Sequence, residues 1–238
     1  MILFFDSSIS AEMHHFQFNK EESKHLSKVL RKKEGDFITI TNGKGGEWRG
    51  KLTDVVPQKS LALQVHFQQH PKPVKRIHLA IAPTKNNTRM EWLVEKITEL
   101  GVASITPLLC EHSERKVIKT DRFEKIAIAA LKQSQQFFIP KINTIIRFED
   151  FLNQNTYPSY IAHCQNTEKL LLAKQSFSAE DITVMIGPEG DFSSTEINLA
   201  ITKGVLPVTL GPQRFRTETA ALIGSYTLFL QQLQNSHL

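Results

Sequence analysis

Three side chains with catalytic chemistry lie close to two Gly-Pro pairs late in the sequence. Glu189 is part of IGPEGDF at 186–192, and Arg216 and Glu218 are part of TLGPQRFRTETAAL at 209–222. A carboxylate can accept a proton, and a guanidinium can stabilise an anion. The spacing predicts one ligand site to which both loops contribute.

The first loop connects an apolar strand to a helix. Thr183 to Ile186 is a β-branched run typical of a buried parallel strand. The run stops at Gly187, and we expect Gly187 and Gly190 to adopt positive φ or to allow close approach of the backbone to a ligand. Ser193 to Glu196 has the pattern of a capping box, which predicts a helix that Gly204 would end.

The second loop repeats this arrangement. Pro207 to Leu210 predicts a strand, Gly211-Pro212 interrupts it, and Thr217-Glu218 opens a mostly apolar helix from Ala220 to Leu233. Ligands of open α/β sheets bind beyond the carboxyl ends of strands, so the paired loops indicate a small-molecule site. One Gly-Pro loop alone would more often be an ordinary tight turn.

The two loops resemble the signatures of a known family. GPEG followed by Phe and then Glu, and LG followed by RTETA, are similar to those of the ribosomal RNA small subunit methyltransferase E family, which are SPOUT-class RNA methyltransferases. KNNTRMEWLVEKITELGVASITPLLCEHSE at 85–114 is similar to the family's first strand-helix-strand segment. HLSKVLRKKEGDFITITNGKG at 25–45 is similar to its N-terminal RNA-binding domain, and the resemblance covers essentially all 238 residues.

The resemblance implies both a fold and a reaction. The fold is α/β, with a PUA-like β-barrel over 1–70 and a C-terminal SPOUT methyltransferase domain, a trefoil-knotted α/β domain, over 71–238. Periodicity alone predicts an unknotted doubly wound sheet. Family members transfer a methyl group from S-adenosylmethionine to N3 of one uridine of 16S rRNA, U1498, and form homodimers through the first and last helices of the methyltransferase domain.

The resemblance also implies how S-adenosylmethionine is held. The expected cofactor contacts are Gly187, Pro188, Glu189, Gly190, Leu210, Gly211, Thr217, Thr219 and Ala220. Two departures from the family pattern bear on this pocket. Asp191 stands where the family commonly has a second glycine, and Gln213-Arg214-Phe215 replaces a more usual arginine and two aliphatic residues.

The chemistry of uracil gives roles to the charged side chains. N3 is a poor nucleophile until its proton leaves, after which negative charge spreads onto O2 and O4. Arg216 would stabilise that charge, and Glu189 or Glu218 would accept the proton. Two alternatives remain open: Glu218 could instead stabilise the first turn of its helix, and Arg216 could hold an RNA phosphate. Because base pairing hides N3, the target must be unpaired or flipped out.

Basic residues early in the chain suggest RNA binding. The net charge is +5 and the isoelectric point about 9.1, which favours an anionic partner. A helix is predicted from Lys20 to Lys33, and it carries five cations within ten residues: Lys24, Lys28, Arg31, Lys32 and Lys33. Such a face is often only solvated, but the resemblance favours contacts to RNA, for Lys85 and Arg89 as well.

Alternating patterns define the remaining elements. Residues 37–40, 47–52 and 61–67 predict strands around a glycine turn, and the prolines near 68–73 mark a boundary. Further strands are predicted at Ile77–Ala82, Ser104–Leu109, Tyr160–His163, Thr183–Ile186 and Leu206–Leu210, and helices at 88–100, 119–137, 167–174 and 194–203. The alternation predicts a parallel α/β sheet.

Several classes of protein fit the sequence poorly. No apolar run is long enough to span a bilayer, and the first residues lack a signal peptide's basic start, so we expect a cytoplasmic protein. Cys110 and Cys164 each follow an apolar strand without metal-binding spacing, which predicts buried thiols and no metal. The alternatives are a related enzyme that methylates a ribose 2′-hydroxyl or another base, and a non-catalytic rRNA-binding assembly factor. A nucleotide-binding protein would need a phosphate fingerprint that the glycine pattern lacks.

Overall fold

The computed structural model describes residues 2–177 and 179–235, in two compact units. The first unit comprises Met1–Lys72 and Leu131–Ile139, and the second comprises Pro73–Ala130 and Pro140–Leu238. The outer limits of the predicted domains, residues 1 and 238, fall outside the described residues. The predicted second domain includes residues 131–139, whereas in the structure these residues group with the first unit.

The first unit contains a five-stranded sheet. Its strands are β1 (Leu3–Phe5), β2 (His15–Gln17), β3 (Phe37–Thr41), β4 (Gly46–Asp54) and β5 (Leu61–Gln69), in the order β1-β3-β4-β5-β2. The β1–β3 pair is parallel and the other pairs are antiparallel. The strands predicted at 37–40, 47–52 and 61–67 are therefore confirmed. The inner face packs around Trp48, Phe4, Phe18, Leu26 and Ile40.

The predicted glycine turn connects β3 to β4. Gly43 and Gly45 have φ values of 69° and 91°, which glycine adopts without steric cost. The side-chain oxygen of Asn42 accepts hydrogen bonds from the backbone N–H groups of Lys44 (2.8 Å) and Gly46 (2.9 Å). Local chemistry thus fixes this turn.

The predicted helix over Lys20–Lys33 is wrong in its second half. Helix α1 spans Lys20–Lys24, and a π-helical turn continues only from His25 to Val29. Arg31 then adopts a φ of 51°, and the backbone N–H of Lys32 donates to the carbonyl of Leu26 (3.0 Å). This left-handed residue with a six-to-one hydrogen bond is a common helix stop, here formed without the usual glycine.

Residues 131–139 complete the first unit at the β3–β4 turn. The backbone N–H of Gly45 donates to the carbonyl of Phe137 (2.8 Å), and that of Ile139 donates to the carbonyl of Gly43 (2.9 Å). The ring of Phe137 stacks on His70, with centroids 4.3 Å apart. This segment therefore packs against the β3–β4 turn and the end of β5.

The second unit is built on a parallel sheet. Its strands are β6 (Arg76–Ile81), β7 (Ser104–Leu109), β8 (Lys141–Ile142), β9 (Ile146–Arg147), β10 (Ser159–Ala162), β11 (Leu170–Leu171), β12 (Asp181–Ile186) and β13 (Leu206–Thr209). The order is β11-β13-β10-β12-β6-β7-β8, and β9 pairs with β7. All of these pairs are parallel, so the five longer strands predicted from the sequence are confirmed within a residue or two.

Five further helices complete the described chain. They are α2 (Asn87–Glu99), α3 (Thr120–Ser134), α4 (Phe148–Gln154), α5 (Ser194–Thr202) and α6 (Thr217–Asn235). The prediction of a helix at 167–174 is wrong, because Leu170 and Leu171 pair with β13 and only a single 3₁₀ turn, Leu172–Lys174, follows. Helix α4 was not predicted. None of the helices in the described part of the chain combines the length and hydropathy needed to cross a bilayer.

The two cysteines differ in their surroundings. Cys110 is buried, and burial raises the pKa of its thiol well above the ordinary value. Cys164 is exposed, which corrects the prediction of two buried thiols. It follows β10 at an edge of the sheet where a cavity opens.

Candidate active site

Three neighbouring strands of the second unit end at one cavity. Strand β10 lies between β13 and β12, and all three run parallel. The sequence predicts one site formed by the loops after β12 and β13, and these strands are not direct neighbours, because β10 lies between them and adds its own loop. Because parallel strands present their carboxyl ends at one edge, all three loops meet there.

The cavity has a volume of about 350 Å³, and a second cavity of about 340 Å³ adjoins it. Both share wall residues Ala162, Cys164, Arg214, Phe215 and Ala220. The first is completed by Arg89, Ile186, Gly187, Pro188, Glu189, Asp191, Arg216 and Thr217, and the second by His163, Lys169, Val208, Thr209, Leu210, Gly211, Pro212 and Gln213. We name the two together the strand-end cavity.

The glycines of the first loop serve close packing. Neither Gly187 nor Gly190 is among the residues of positive φ. A Cβ on Gly187 would lie 3.0 Å from the backbone nitrogen and the ring of Phe192, and one on Gly190 would lie 3.1 Å from the Cβ of His112. The prediction of positive φ is therefore wrong for both glycines, and the close approaches seen are to protein atoms.

Asp191 takes the left-handed position in this loop, with a φ of 65°. Its carboxylate accepts hydrogen bonds from the backbone N–H of Cys164 (2.7 Å) and of Phe192 (2.9 Å). Its carbonyl accepts one from Nδ1 of His112 (3.0 Å). The residue that departs from the family pattern therefore connects the loop after β12 to the loop after β10.

Helix α5 begins with the predicted capping box. The backbone N–H of Glu196 donates to the hydroxyl of Ser193 (3.2 Å), and that of Ser193 donates to the Glu196 carboxylate (2.9 Å). The same carboxylate accepts the backbone N–H of Glu111 (2.9 Å). At the other end, Gly204 has a φ of 82°, which confirms the predicted stop.

The second loop brings two guanidinium groups to the cavity. Gly211 has a φ of 147°, and its backbone N–H donates to the hydroxyl of Thr209 (3.3 Å). Arg214 and Arg216 both line the strand-end cavity and are exposed. With Arg89 and Lys169 they give the wall four cations, which favours an anionic ligand or the development of negative charge.

Glu189 and Glu218 lie in different environments. Glu189 lines the strand-end cavity, is exposed, and accepts the backbone N–H of Lys85 (3.1 Å). Glu218 is not among the wall residues and is only 7% exposed. One of its oxygens lies 3.6 Å from Nε of Arg89, and the other has no hydrogen-bond partner in the described chain. The structure therefore brings Glu189, but not Glu218, to the cavity.

The remaining predicted cofactor residues are partly brought together. Gly187, Pro188, Thr217, Ala220, Leu210 and Gly211 all line the strand-end cavity. Gly190 lines a separate, polar depression beside His112, and Thr219 lines neither cavity. Thr219 lines neither cavity because successive residues of a helix point in different directions.

His163 is a cavity residue that the sequence analysis did not select. Its side chain is 6% exposed and lines the second cavity, and neither ring nitrogen has a hydrogen-bond partner in the described chain. Burial, together with the nearby Lys169, lowers the pKa of the imidazole, so it is neutral near pH 7. The sequence around His163 and Cys164 matches no motif, so the place of His163 in the cavity is seen only in the folded structure.

The predicted RNA-binding cations divide between the two units. In the first unit, Lys24, Lys28, Arg31 and Lys33 are exposed, whereas Lys32 donates to the carbonyl of Phe37 (3.4 Å) and lies 4.0 Å from Asp36. In the second unit, Arg89 lines the strand-end cavity. Lys85 pairs with Glu114 (2.9 Å), and this hydrogen bond raises the pKa of its ammonium group.

Comparison with known proteins assigns a class to this fold and site. A family model described as an RNA methyltransferase domain matches residues 70–227, and one described as an RNA methyltransferase PUA domain matches residues 18–65. The class is therefore that of RNA methyltransferases that combine these two domains.

Relatives narrow the class to one family. Ribosomal RNA small subunit methyltransferase E of Buchnera aphidicola subsp. Acyrthosiphon pisum is 33% identical over 224 residues, which cover 89% of this chain and 87% of the relative. The chain belongs to the ribosomal RNA small subunit methyltransferase E family. The resemblance drawn from the two loops is thereby confirmed.

Two solved structures share the whole fold. A protein of Porphyromonas gingivalis, described as a probable rRNA-methyltransferase, is 32% identical with a TM-score of 0.90, covering 99% of this chain and all of the other. Ribosomal RNA small subunit methyltransferase E of Neisseria gonorrhoeae, solved bound to S-adenosyl methionine, is 26% identical with a TM-score of 0.83, covering 98% of both chains.

Proposed function

We propose that this protein transfers a methyl group from S-adenosylmethionine to N3 of a uridine in 16S rRNA of the small ribosomal subunit. The observation that carries the proposal is the strand-end cavity, whose wall combines Arg216 and Glu189 with a buried histidine whose ring nitrogens have no partner in the described chain. The rRNA substrate follows from the names of the relatives in the same family.

The cavity fits an adenosyl-sized ligand. Two adjoining spaces of about 350 and 340 Å³ lie within the range of small-molecule sites, about 300–1,000 Å³. Buried polar groups normally have partners, so the free ring nitrogens of His163 call for a ligand or water at this position. Gly187, Leu210, Gly211 and Ala220 would hold the cofactor beside it.

Bound S-adenosylmethionine supplies an electrophilic methyl group. The protein's own residues must generate the nucleophile and manage its charge. In the proposal, Glu189 accepts the N3 proton of the uracil, and Arg216 stabilises the negative charge that spreads onto O2 and O4. The surrounding loops hold the base in line with the methyl group, which contributes through orientation.

Glu218 receives a positioning role in this proposal. Its carboxylate faces Arg89, whose guanidinium lines the cavity, rather than the cavity itself. A carboxylate in the first turn of α6 also interacts favourably with the free N–H groups there. We therefore assign proton transfer to Glu189 and the orientation of Arg89 to Glu218.

The first unit would contribute RNA affinity. Lys24, Lys28, Arg31 and Lys33 are exposed, and no ion pair to them occurs in the part of the chain that the structure describes. Free cations on one small unit suit contacts to phosphates, which fix position without reading sequence. Closure of its sheet into a PUA-like barrel belongs to the proposal.

The knot and a homodimer also belong to the proposal. Strands β10, β12 and β13 occur in this order along the chain, yet β10 lies between the other two in the sheet, so the chain must cross β10 on its way from β12 to β13. Such a crossing is compatible with a trefoil knot.

For the dimer, α6 packs beside α2 and exposes Tyr226, Leu230 and Leu233 at helical spacing. The proposed substrate places the reaction in the cytoplasm, where bacterial ribosomes assemble.

A methyl-acceptor assay tests the proposed function. Purified protein would be incubated with radiolabelled S-adenosylmethionine and either naked 16S rRNA or small subunits that lack the modification, and the labelled nucleoside would be identified. We expect 3-methyluridine as the product, with Glu189→Gln strongly impaired and Glu218→Gln less so. Labelled 2′-O-methylated nucleosides or another methylated base would contradict the N3 assignment. A complete absence of methyl transfer to both substrates would contradict the proposal that the protein is a methyltransferase.

A further inference from the structure

The outer face of the first unit's sheet carries a row of exposed side chains. In the strand register Phe37 lies opposite Lys51, Lys51 opposite Leu63, and Leu63 opposite His15. Because side chains alternate along a strand, these residues point away from the core. Their neighbours Ile38, Leu52 and Ala62 are buried on the inner face.

This face is unusually apolar for a water-exposed surface. Phe37 is 63% exposed, Val65 59% and Leu63 40%. The register shift between Arg49 and Gly50 leaves Val65 as an extra, unpaired residue of β5, in a β-bulge. Single exposed apolar residues are normal, but several on adjacent strands of one face mark an interaction surface.

The side chains around Phe37 on this face are mainly cationic, which favours an anionic partner. Lys51 is exposed and has no ion pair in the part of the chain that the structure describes. Arg49 is about half exposed, and the carboxylate beside it, Glu47, is buried and bonded to both Arg49 and His70. The ammonium group of Lys32 bonds to the carbonyl of Phe37 (3.4 Å). The face therefore presents an aromatic ring among cations, and two carboxylates, those of Glu47 and of Asp36 directly before Phe37, are paired with Arg49 and Lys32.

We propose that this face binds an unpaired stretch of RNA, with a base stacked on Phe37 and the adjoining phosphate held by Lys51. The inference rests on the proposed function, because it states where the RNA substrate is held. Aromatic rings stack on any nucleobase whose face is accessible, and cations beside them hold the backbone. A duplex hides its base faces, so the surface selects single strands. We call residues Phe37, Arg49, Lys51, Leu63 and Val65 the stacking face.

Fluorescence anisotropy with a short, labelled oligouridylate tests the stacking face. We expect wild-type protein to bind it, Phe37→Ala to bind about tenfold more weakly, and Phe37→Trp to retain affinity because its ring still stacks. Lys51→Ala should reduce the slope of log affinity against log salt concentration by about one, the contribution of one phosphate contact. Val117→Ala, which removes an exposed apolar side chain of the second unit, is the matched control and should bind as wild type.

Three results would overturn the stacking face. Wild-type protein could fail to bind the oligouridylate, Phe37→Ala could bind it as tightly as wild type, or an RNA duplex could bind with the same dependence on Phe37. Methyl transfer to 16S rRNA, measured in parallel, separates this inference from the proposed function. If wild type methylates rRNA but Phe37→Ala keeps its affinity, only the stacking face fails. If binding depends on Phe37 but no methyl group is transferred, the proposed function fails and the stacking face stands.

Discussion

At the scale of residues, we expect His163 to lower the stability of the free protein and to contribute to S-adenosylmethionine binding. A buried polar group without a partner costs about 1–3 kcal/mol in the free protein. We therefore expect His163→Leu, which is similar in volume, to leave the free energy of unfolding unchanged or to raise it by about 1 kcal/mol. The same change should weaken S-adenosylmethionine binding about tenfold, as expected for one lost hydrogen bond.

Urea unfolding and calorimetric titration of the same samples measure both effects. His14→Leu, at an exposed position of the first unit, is the control and should not change cofactor affinity. A His163→Leu protein that unfolds more easily but binds the cofactor normally would show that the imidazole has only a structural role.

Arg216 should affect the reaction without affecting cofactor binding. Removing a group that stabilises developing charge typically lowers turnover about 100- to 1,000-fold. Arg216→Ala should therefore bind S-adenosylmethionine as wild type does, and transfer methyl groups at least 100-fold more slowly. Single-turnover methylation gives the rate. Arg214→Ala, which removes the other exposed guanidinium of the same loop, should mainly weaken rRNA binding, and an equal loss of rate in both variants would speak against a special role for Arg216.

The fold brings some of the predicted site residues to the cavity and not others, for a physical reason. Glu189 and Arg216 belong to loops that follow β12 and β13, two parallel strands of one sheet, so both loops lie at the same edge. Glu218 lies on the first turn of α6, where successive residues rotate by about 100°, and this turns its carboxylate away from the cavity toward Arg89. His163 could not be predicted, because the absence of a hydrogen-bond partner is a property of the folded chain.

At the scale of elements, strands β6 and β12 are joined by a charged cluster. Arg76 donates to the Asp181 carboxylate (2.6 Å), and Nε2 of His78 lies 2.7 Å from its other oxygen. Burial alone would raise the pKa of Asp181, but the hydrogen bonds from His78 and Arg76 outweigh it and lower the pKa. The carboxylate thus stabilises the fold at pH values above about 4, and this contribution is lost as pH falls through the lowered pKa.

Asp181→Asn should therefore destabilise the protein by about 1–2 kcal/mol at pH 7 and by much less near pH 3. Urea unfolding at both pH values measures the difference, provided that the wild type remains folded at the lower pH. Asp150→Asn, in the first turn of α4, is a control without an ion pair to Arg or Lys in the described chain. A penalty for Asp181→Asn that does not depend on pH would contradict the charged interaction.

Elements with strong periodicity were predictable, and short or irregular ones were not. The apolar stripe of α2, with Met90, Leu93, Val94 and Ile97, is buried as its spacing predicts. The run at 167–174 has helical spacing, yet its two leucines pair with β13 at the edge of the sheet. Tertiary pairing overrides a short local preference in such cases. The end of the helix at Arg31 could not be predicted either, since arginine rarely adopts a left-handed conformation.

At the scale of the whole molecule, the proposed dimer can be tested through α6. Tyr226, Leu230 and Leu233 are exposed on this helix, and Trp92 is exposed on the neighbouring α2. Leu230→Glu would place a charge in the proposed interface, and we expect it to convert a dimer into a folded monomer in sedimentation velocity. Ile201→Glu, at an exposed position of α5, should remain dimeric. A wild-type monomer at micromolar concentration would contradict the proposal.

The division of the chain into units was only partly predictable. The boundary near Pro71 and Pro73 agrees with the local composition, but residues 131–139 join the first unit from a distant part of the sequence. Their contacts include backbone hydrogen bonds to the turn at Gly43 and Gly45. Backbone hydrogen bonds depend little on side-chain type, so they cannot be predicted from composition and periodicity.

The central claim is that the strand-end cavity binds S-adenosylmethionine, and calorimetric titration tests it most directly. Ala220 lines both parts of the cavity, so Ala220→Leu would fill space that the cofactor needs. Thr219→Val, at the adjacent position that lines neither part, is the isosteric control. We predict that wild type and Thr219→Val bind one S-adenosylmethionine per chain, whereas Ala220→Leu remains folded and does not bind. Folded wild-type protein that binds no S-adenosylmethionine, with or without 16S rRNA, or an Ala220→Leu protein that binds as tightly as wild type, would contradict this claim.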